Sequence, residues 1–112
     1  MEIGLESRVQ DDWTVLVVKG EVDIYTAPNF RAELIRLIDQ GANRLVLDLL
    51  GVDFMDSTGL SVLLSGKKRT NEANGDLKLV CTDGAVRKIL TVTGLDKIFS
   101  LYPSVETAIS KV

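Results

Sequence analysis

Hydrophobic and polar positions alternate at the start of the chain: Ile3, Leu5 and Val9 share one side, with Glu2, Gly4, Glu6 and Arg8 between them. A period of two predicts a half-buried strand. Asp11 and Asp12 mark a turn, and WTVLVVKG then reads as a more buried strand ending at Gly20, antiparallel to the first. GEVDIYTAPNF follows as a loop. Thr26 is placed to cap a helix over residues 27–39 whose first turn holds Pro28, where proline's missing N–H does no harm. Phe30, Leu34, Leu37 and Ile38 recur at helical spacing along it, and Gly41 stops it.

RLVLDLL, residues 44–50, is a short apolar run suited to a central strand. Leu60, Leu63 and Leu64 then start a helix that turns polar at KKRTNEANG, and DLKLVC is another buried strand. Val86, Ile89 and Leu90 face one way on a third helix, closed near Gly94. Ile98 and Phe99 predict a short edge strand, and Pro103 opens a last helix with Val105, Ala108, Ile109 and Val112 at helical spacing. The order ββαβαβαβα predicts one α/β domain over residues 1–112. It would hold a mixed, mostly parallel sheet of four to five strands with about four helices packed on it. A right-handed crossover from residues 13–19 through the first helix to residues 44–50 sends two loops to one sheet edge. Asp23 to Thr26 and Asp56 to Gly59 should therefore be neighbours.

Composition narrows the chemistry. Apolar residues make up 46% of the 112, enough for one core, and the net charge of −3 leaves no electrostatic footprint for nucleic acid. No apolar run approaches the roughly 18 residues that span a bilayer, and MEIGLESRVQ is unlike a signal peptide. The expectation is a cytoplasmic protein. The chain contains no histidine, so a Ser-His-Asp or Cys-His arrangement cannot be built from it. The single cysteine, Cys81, has no partner for a disulfide or a thiolate metal site. It reads as a buried, inert thiol.

Between the third strand and the second helix lies DSTGL, residues 56–60. Small polar residues there serve as helix N-caps, and Ser57 has that reading. Gly59 weakens a first turn by up to about 1 kcal/mol relative to alanine, which makes sense where another group must come close. The second reading of Ser57 is phosphorylation, since a helix N-terminus seats an anion and a phosphoserine adds about −1.5 to −2 charges. Any activating base would then come from another protein. Asp23 fits either an Asx-type turn or a partner contact beside Ser57. Asp48 lies inside a strand without the acidic cluster that phosphoaspartate chemistry requires. The KKR run at 67–69 reads as a solvated helix face, and Trp13 as core or hairpin packing.

Two motifs together carry a family likeness. GEVDIYTAPNFRAEL followed by LVLDLLGVDFMDSTGLSVLL resembles the STAS-domain anti-sigma factor antagonists of bacteria, and LKLVC with VRKILTVTGLDKIF extends the similarity over nearly the whole chain. The resemblance implies a STAS-like fold and a non-enzymatic protein without a cofactor, monomeric when free. Its partner would be an anti-sigma factor with GHKL-type serine kinase activity. Unmodified, it would sequester that kinase and release a sigma factor; phosphorylation at Ser57, with Thr58 as the fallback acceptor, would end the complex. A PP2C-type phosphatase would restore it. The same resemblance implies partner contacts at Asp23, Ile24, Thr26, Ala27 and Asn29, and at Met55, Asp56, Thr58, Gly59 and Val62. Ser61 stands where many relatives have glycine. The alternative within the family is a scaffold or ligand-sensing module of a signalling complex.

Overall fold

The computed structural model describes residues 2–110. Strands β1 (Ile3–Gln10) and β2 (Trp13–Val22) form an antiparallel hairpin whose last pair is Gln10 with Trp13. The two-residue turn works because Asp11 and Asp12 both adopt positive φ, 49° and 69°. Such a turn matches the right-handed twist of the strands, and aspartate tolerates that conformation better than most residues. The chain then alternates through α1 (Ala27–Asp39), β3 (Arg44–Met55), α2 (Ser57–Glu72), β4 (Asp76–Val80) and α3 (Ala85–Val92). A 3-10 turn at Leu95–Lys97 leads into β5 (Ser100–Tyr102), and α4 (Val105–Ser110) follows. The sheet runs β1-β2-β3-β4-β5, and every pair beyond the hairpin is parallel.

The helices divide between the two faces. Phe30, Leu34 and Leu37 of α1, Leu63 of α2 and Leu90 of α3 bury themselves against Leu16, Val18, Leu47 and Leu79. Among the described residues α4 alone covers the other face, where Val105 and Ala108 pack on Trp13, Val15, Val46 and Val80. Trp13 is buried in that layer, as the reading of core or hairpin packing expects, and two cations lie against its ring. The Arg44 guanidinium and the Lys78 ammonium each sit 4.6 Å from its ring centroid. Lys78 also donates a hydrogen bond to the Ala108 carbonyl at 2.8 Å, tying α4 to β4.

Where the pattern misled, the cause is local. Val9 does not join the inner row and is 78% exposed. It sits beside the turn, opposite Thr14, on an open pocket that Arg36, Leu37 and Gln40 at the end of α1 also line. β3 continues five residues beyond Leu50 and carries two register shifts against β2. The pair Val17–Asp48 is followed by Lys19–Gly51, and Gly20–Val52 by Glu21–Phe54, so β3 holds one extra residue at each step. Such bulges bend and twist a strand. They leave Leu49, Val52 and Met55 facing the core at intervals of three, a spacing that hides a strand from a period-two reading. β2 likewise extends past Gly20 to Val22. The last strand lies at 100–102 rather than at Ile98 and Phe99. Leu64 points outward, and Val112 is outside the described residues.

Candidate functional site

The two loops meet as the crossover argument expects. Val22 pairs with Met55, and the next backbone N–H, that of Asp56, donates to the Val22 carbonyl at 3.2 Å. The ends of β2 and β3 therefore place Asp23–Thr26 and Asp56–Gly59 side by side.

The first loop is built around a buried carboxylate. Asp23 Oδ1 accepts the backbone N–H groups of Tyr25 at 2.9 Å and Thr26 at 3.0 Å. The Thr26 hydroxyl accepts the Asp23 N–H at 2.9 Å and donates to the Glu21 carbonyl at 2.7 Å. Thr26 stands at the N-cap position of α1 but spends its hydroxyl on the loop and makes no side-chain cap. Burial penalises the Asp23 charge, yet the hydrogen bonds from Thr26 and Tyr25 outweigh it and hold the carboxyl below its usual value. Asp23 thus takes the Asx-type role. The consequence lies outside: Ile24 is 65% exposed and Tyr25 82% exposed on a backbone fixed from beneath.

The second loop settles which residue caps α2. Asp56 is the N-cap, accepting the Thr58 N–H at 2.9 Å, and the Thr58 hydroxyl donates to the same oxygen. Ser57 is therefore not the cap; the structure corrects that reading. It occupies the first helical position, exposed, with a hydroxyl that makes no hydrogen bond among the described residues. Its carbonyl accepts the Ser61 hydroxyl at 3.2 Å. Gly59 is buried, and its bare face looks inward. A Cβ there would lie 2.6 Å from Met55 Cγ and 2.8 Å from Val22 Cγ1. That close approach seats the start of α2 directly on the strand ends.

The residues singled out from sequence separate into two layers. Ile24, Asn29 and Ser57 are exposed, and Asp56 and Thr58 half-buried. Asp23, Thr26, Ala27, Met55, Gly59 and Val62 are buried, with Val62 wholly inside. These six lie beneath the exposed ones and shape the backbone on which the outer layer rests, and Ala27 also lines the space between the first two helices. Tyr25 was missed, although an aromatic residue beside Ile24 in a polar loop is a usable signal. Also missed was an open groove of about 590 Å³ between α1 and α2, walled by Pro28, Arg31, Ala32, Ile35, Thr58 and Ser61. Elsewhere, burial pushes the Cys81 thiol up, opposed by Arg87, which fits an unreactive cysteine. No group of three or more His, Cys, Asp or Glu among the described residues is arranged to hold a metal. No helix among them is long and apolar enough to cross a membrane.

Comparison with known proteins agrees with this geometry. The STAS domain family matches residues 5–108. The anti-sigma-B factor antagonist of Bacillus subtilis (strain 168) is 33% identical over 101 residues, covering 90% of this chain and 92% of that one. The crystal structure of an anti-sigma factor antagonist from Mycobacterium paratuberculosis has a TM-score of 0.90 at 31% identity, over 97% of this chain and 92% of that one. The phosphorylated form of the Bacillus cell fate determinant SpoIIAA has a TM-score of 0.72 at 25% identity, over 96% of each chain. The chain belongs to the STAS-domain family of anti-sigma factor antagonists.

Proposed function

We propose that this domain is a phosphorylation-switched antagonist in the cytoplasm. Unmodified, it docks its loop edge on an anti-sigma factor that is also a serine kinase of the GHKL type, and so frees a sigma factor. That kinase transfers the γ-phosphoryl group of ATP to Ser57 Oγ. ADP leaves, and the serine proton passes to a base of the kinase. A PP2C-type phosphatase reverses the modification. The carrying observation is the Ser57 hydroxyl, exposed and unbonded among the described residues, while the neighbouring Thr58 hydroxyl is held by Asp56. The phosphorylated form of a related Bacillus protein supports the same reading.

The switch works by charge at the interface. The N-terminus of the 16-residue α2 favours an anion by about 0.3–1 kcal/mol, so a phosphate on Ser57 leaves its own seat folded. Asp56 already makes the edge acidic. Up to two further charges oppose any acidic or closely fitted partner surface there. A loss of about 2.8 kcal/mol weakens binding a hundredfold, enough for a switch. Calorimetric titration of the ADP-bound kinase tests this. Ser57→Ala should bind like the unmodified protein and persist in the presence of ATP, whereas Ser57→Asp should bind far more weakly. Full affinity in Ser57→Asp would defeat the proposal.

A further inference from the structure

The groove between α1 and α2 is bounded by two matched stripes. On α1, Pro28, Arg31, Ala32 and Ile35 stand at i, i+3, i+4 and i+7; on α2, Thr58 and Ser61 form the facing wall. The small Ala32 and Ser61 keep its sides low. The groove does not stop at its own rim. Ile24, 65% exposed, itself lines the groove, and Leu64, 40% exposed, continues the outward row of α2 that runs Ser57, Ser61, Leu64, Lys68.

Its charge is one-sided. Arg31 makes no ion pair or side-chain hydrogen bond among the described residues, and its helical neighbours Ala27, Pro28, Leu34 and Ile35 include no acid. The nearby Glu33 gives both carboxylate oxygens to Arg36, each at 2.7 Å. Exposed Lys68 lies farther along α2, so the surface changes from acidic at Asp56 to basic down the helix.

From this arrangement we infer that the groove is a docking site for an amphipathic helix of the anti-sigma factor, carrying an apolar row and a carboxylate that meets Arg31. The inference rests on the function proposed above and adds a second contact to it. Paired helical stripes present the ridges that a third helix packs between, with anchors at i, i+3, i+4 and i+7. A volume of about 590 Å³ lined by Ile24, with exposed Leu64 next along the outward row of α2, suits several side chains of one segment; a small molecule seated in it would leave Leu64 uncovered. Thr58 and Ser61 in the wall flank the turn that carries Ser57. A helix in the groove therefore holds the kinase beside its acceptor without touching the acceptor hydroxyl.

Docking and phosphoryl transfer then separate experimentally. Arg31→Glu and Ala32→Trp should each weaken kinase binding at least about tenfold. Both should leave the rate of Ser57 phosphorylation at saturating kinase within about twofold of wild type, an effect on KM without one on kcat. Lys88→Glu, the same charge reversal on exposed α3, should change neither, and Arg31→Lys should restore part of the affinity. Thermal melts of each variant confirm that the fold is kept. Unchanged affinity in both groove variants would overturn the inference and leave the proposed function standing. A loss confined to kcat would overturn it too. Groove-confined chemical-shift changes on adding decanoate, with kinase affinity unaltered in both variants, would reassign the groove to a small amphipathic anion. A wild-type protein that binds no such kinase would bring down both readings.

Discussion

Gly59→Ala probes the seat of the functional edge. The added methyl would lie 2.6 Å from Met55 Cγ and 2.8 Å from Val22 Cγ1, where carbon atoms ordinarily rest about 3.5–4.0 Å apart. Met55 can swing aside. Val22 is fully buried, and its branched side chain has little freedom about χ1. The first turn of α2 must therefore retreat from the strand ends by about 1 Å to regain normal contact. Overpacking of this kind costs about 1–3 kcal/mol. Alanine recovers up to about 1 kcal/mol through its better helix propensity. The net expectation is a loss of about 1 kcal/mol, or about 4 °C in Tm for a domain of this size. Urea unfolding should show a lower midpoint with an unchanged m-value. Because the retreating turn carries Ser57, phosphorylation by the cognate kinase should also slow, even well below the melting range. A variant as stable as wild type, or more so, would refute the packing argument and show that helix propensity governs this position.

Two further perturbations test the loops separately. Asp56→Ala removes the N-cap of α2 and should cost about 1 kcal/mol in urea unfolding. It also releases the Thr58 hydroxyl, so phosphate should begin to appear on Thr58 beside Ser57; labelling that stays wholly on Ser57 would contradict the part given to the Asp56–Thr58 bond. Asp23→Asn keeps the acceptor oxygen and removes the charge. A folded-state value depressed below 3.8 means that the unfolded chain binds the proton more readily. The advantage of wild type over the variant should be full above pH 3.8 and shrink as pH falls through the lower folded-state value. Urea midpoints across that range check it, and a difference independent of pH would contradict it.

The layered order of strands and helices was legible because core positions repeat with simple periods. Phe30, Leu34 and Leu37 mark α1 at helical spacing, and Leu45 and Leu47 alternate along β3. What escaped had a physical cause in each case. The end of β3 was hidden because its register shifts place Leu49, Val52 and Met55 three apart. Val9 and Leu64 lie on apolar rows yet stay exposed, and local sequence cannot show where cover ends. At the site, sequence brought the two loops together and singled out Ser57. It could not rank Asp56 above Ser57 as the cap, because both residue types cap well and the choice is made by geometry. Nor could it sort the exposed residues of the loops from the buried ones. Asp23 and Ile24 are adjacent, yet one is buried under its own loop and the other stands 65% exposed.

In the proposed switch Ser57 is the acceptor, and its modification ends the complex. The most direct measurement incubates the protein with its GHKL-type anti-sigma kinase and Mg-ATP, locates phosphate by tandem mass spectrometry and follows the complex by size-exclusion chromatography in the same samples. One phosphate is expected on Ser57, none in Ser57→Ala, with loss of the complex in step with modification. Phosphate on Thr26 or Ser104 instead, or a complex that survives full modification of Ser57, would contradict it.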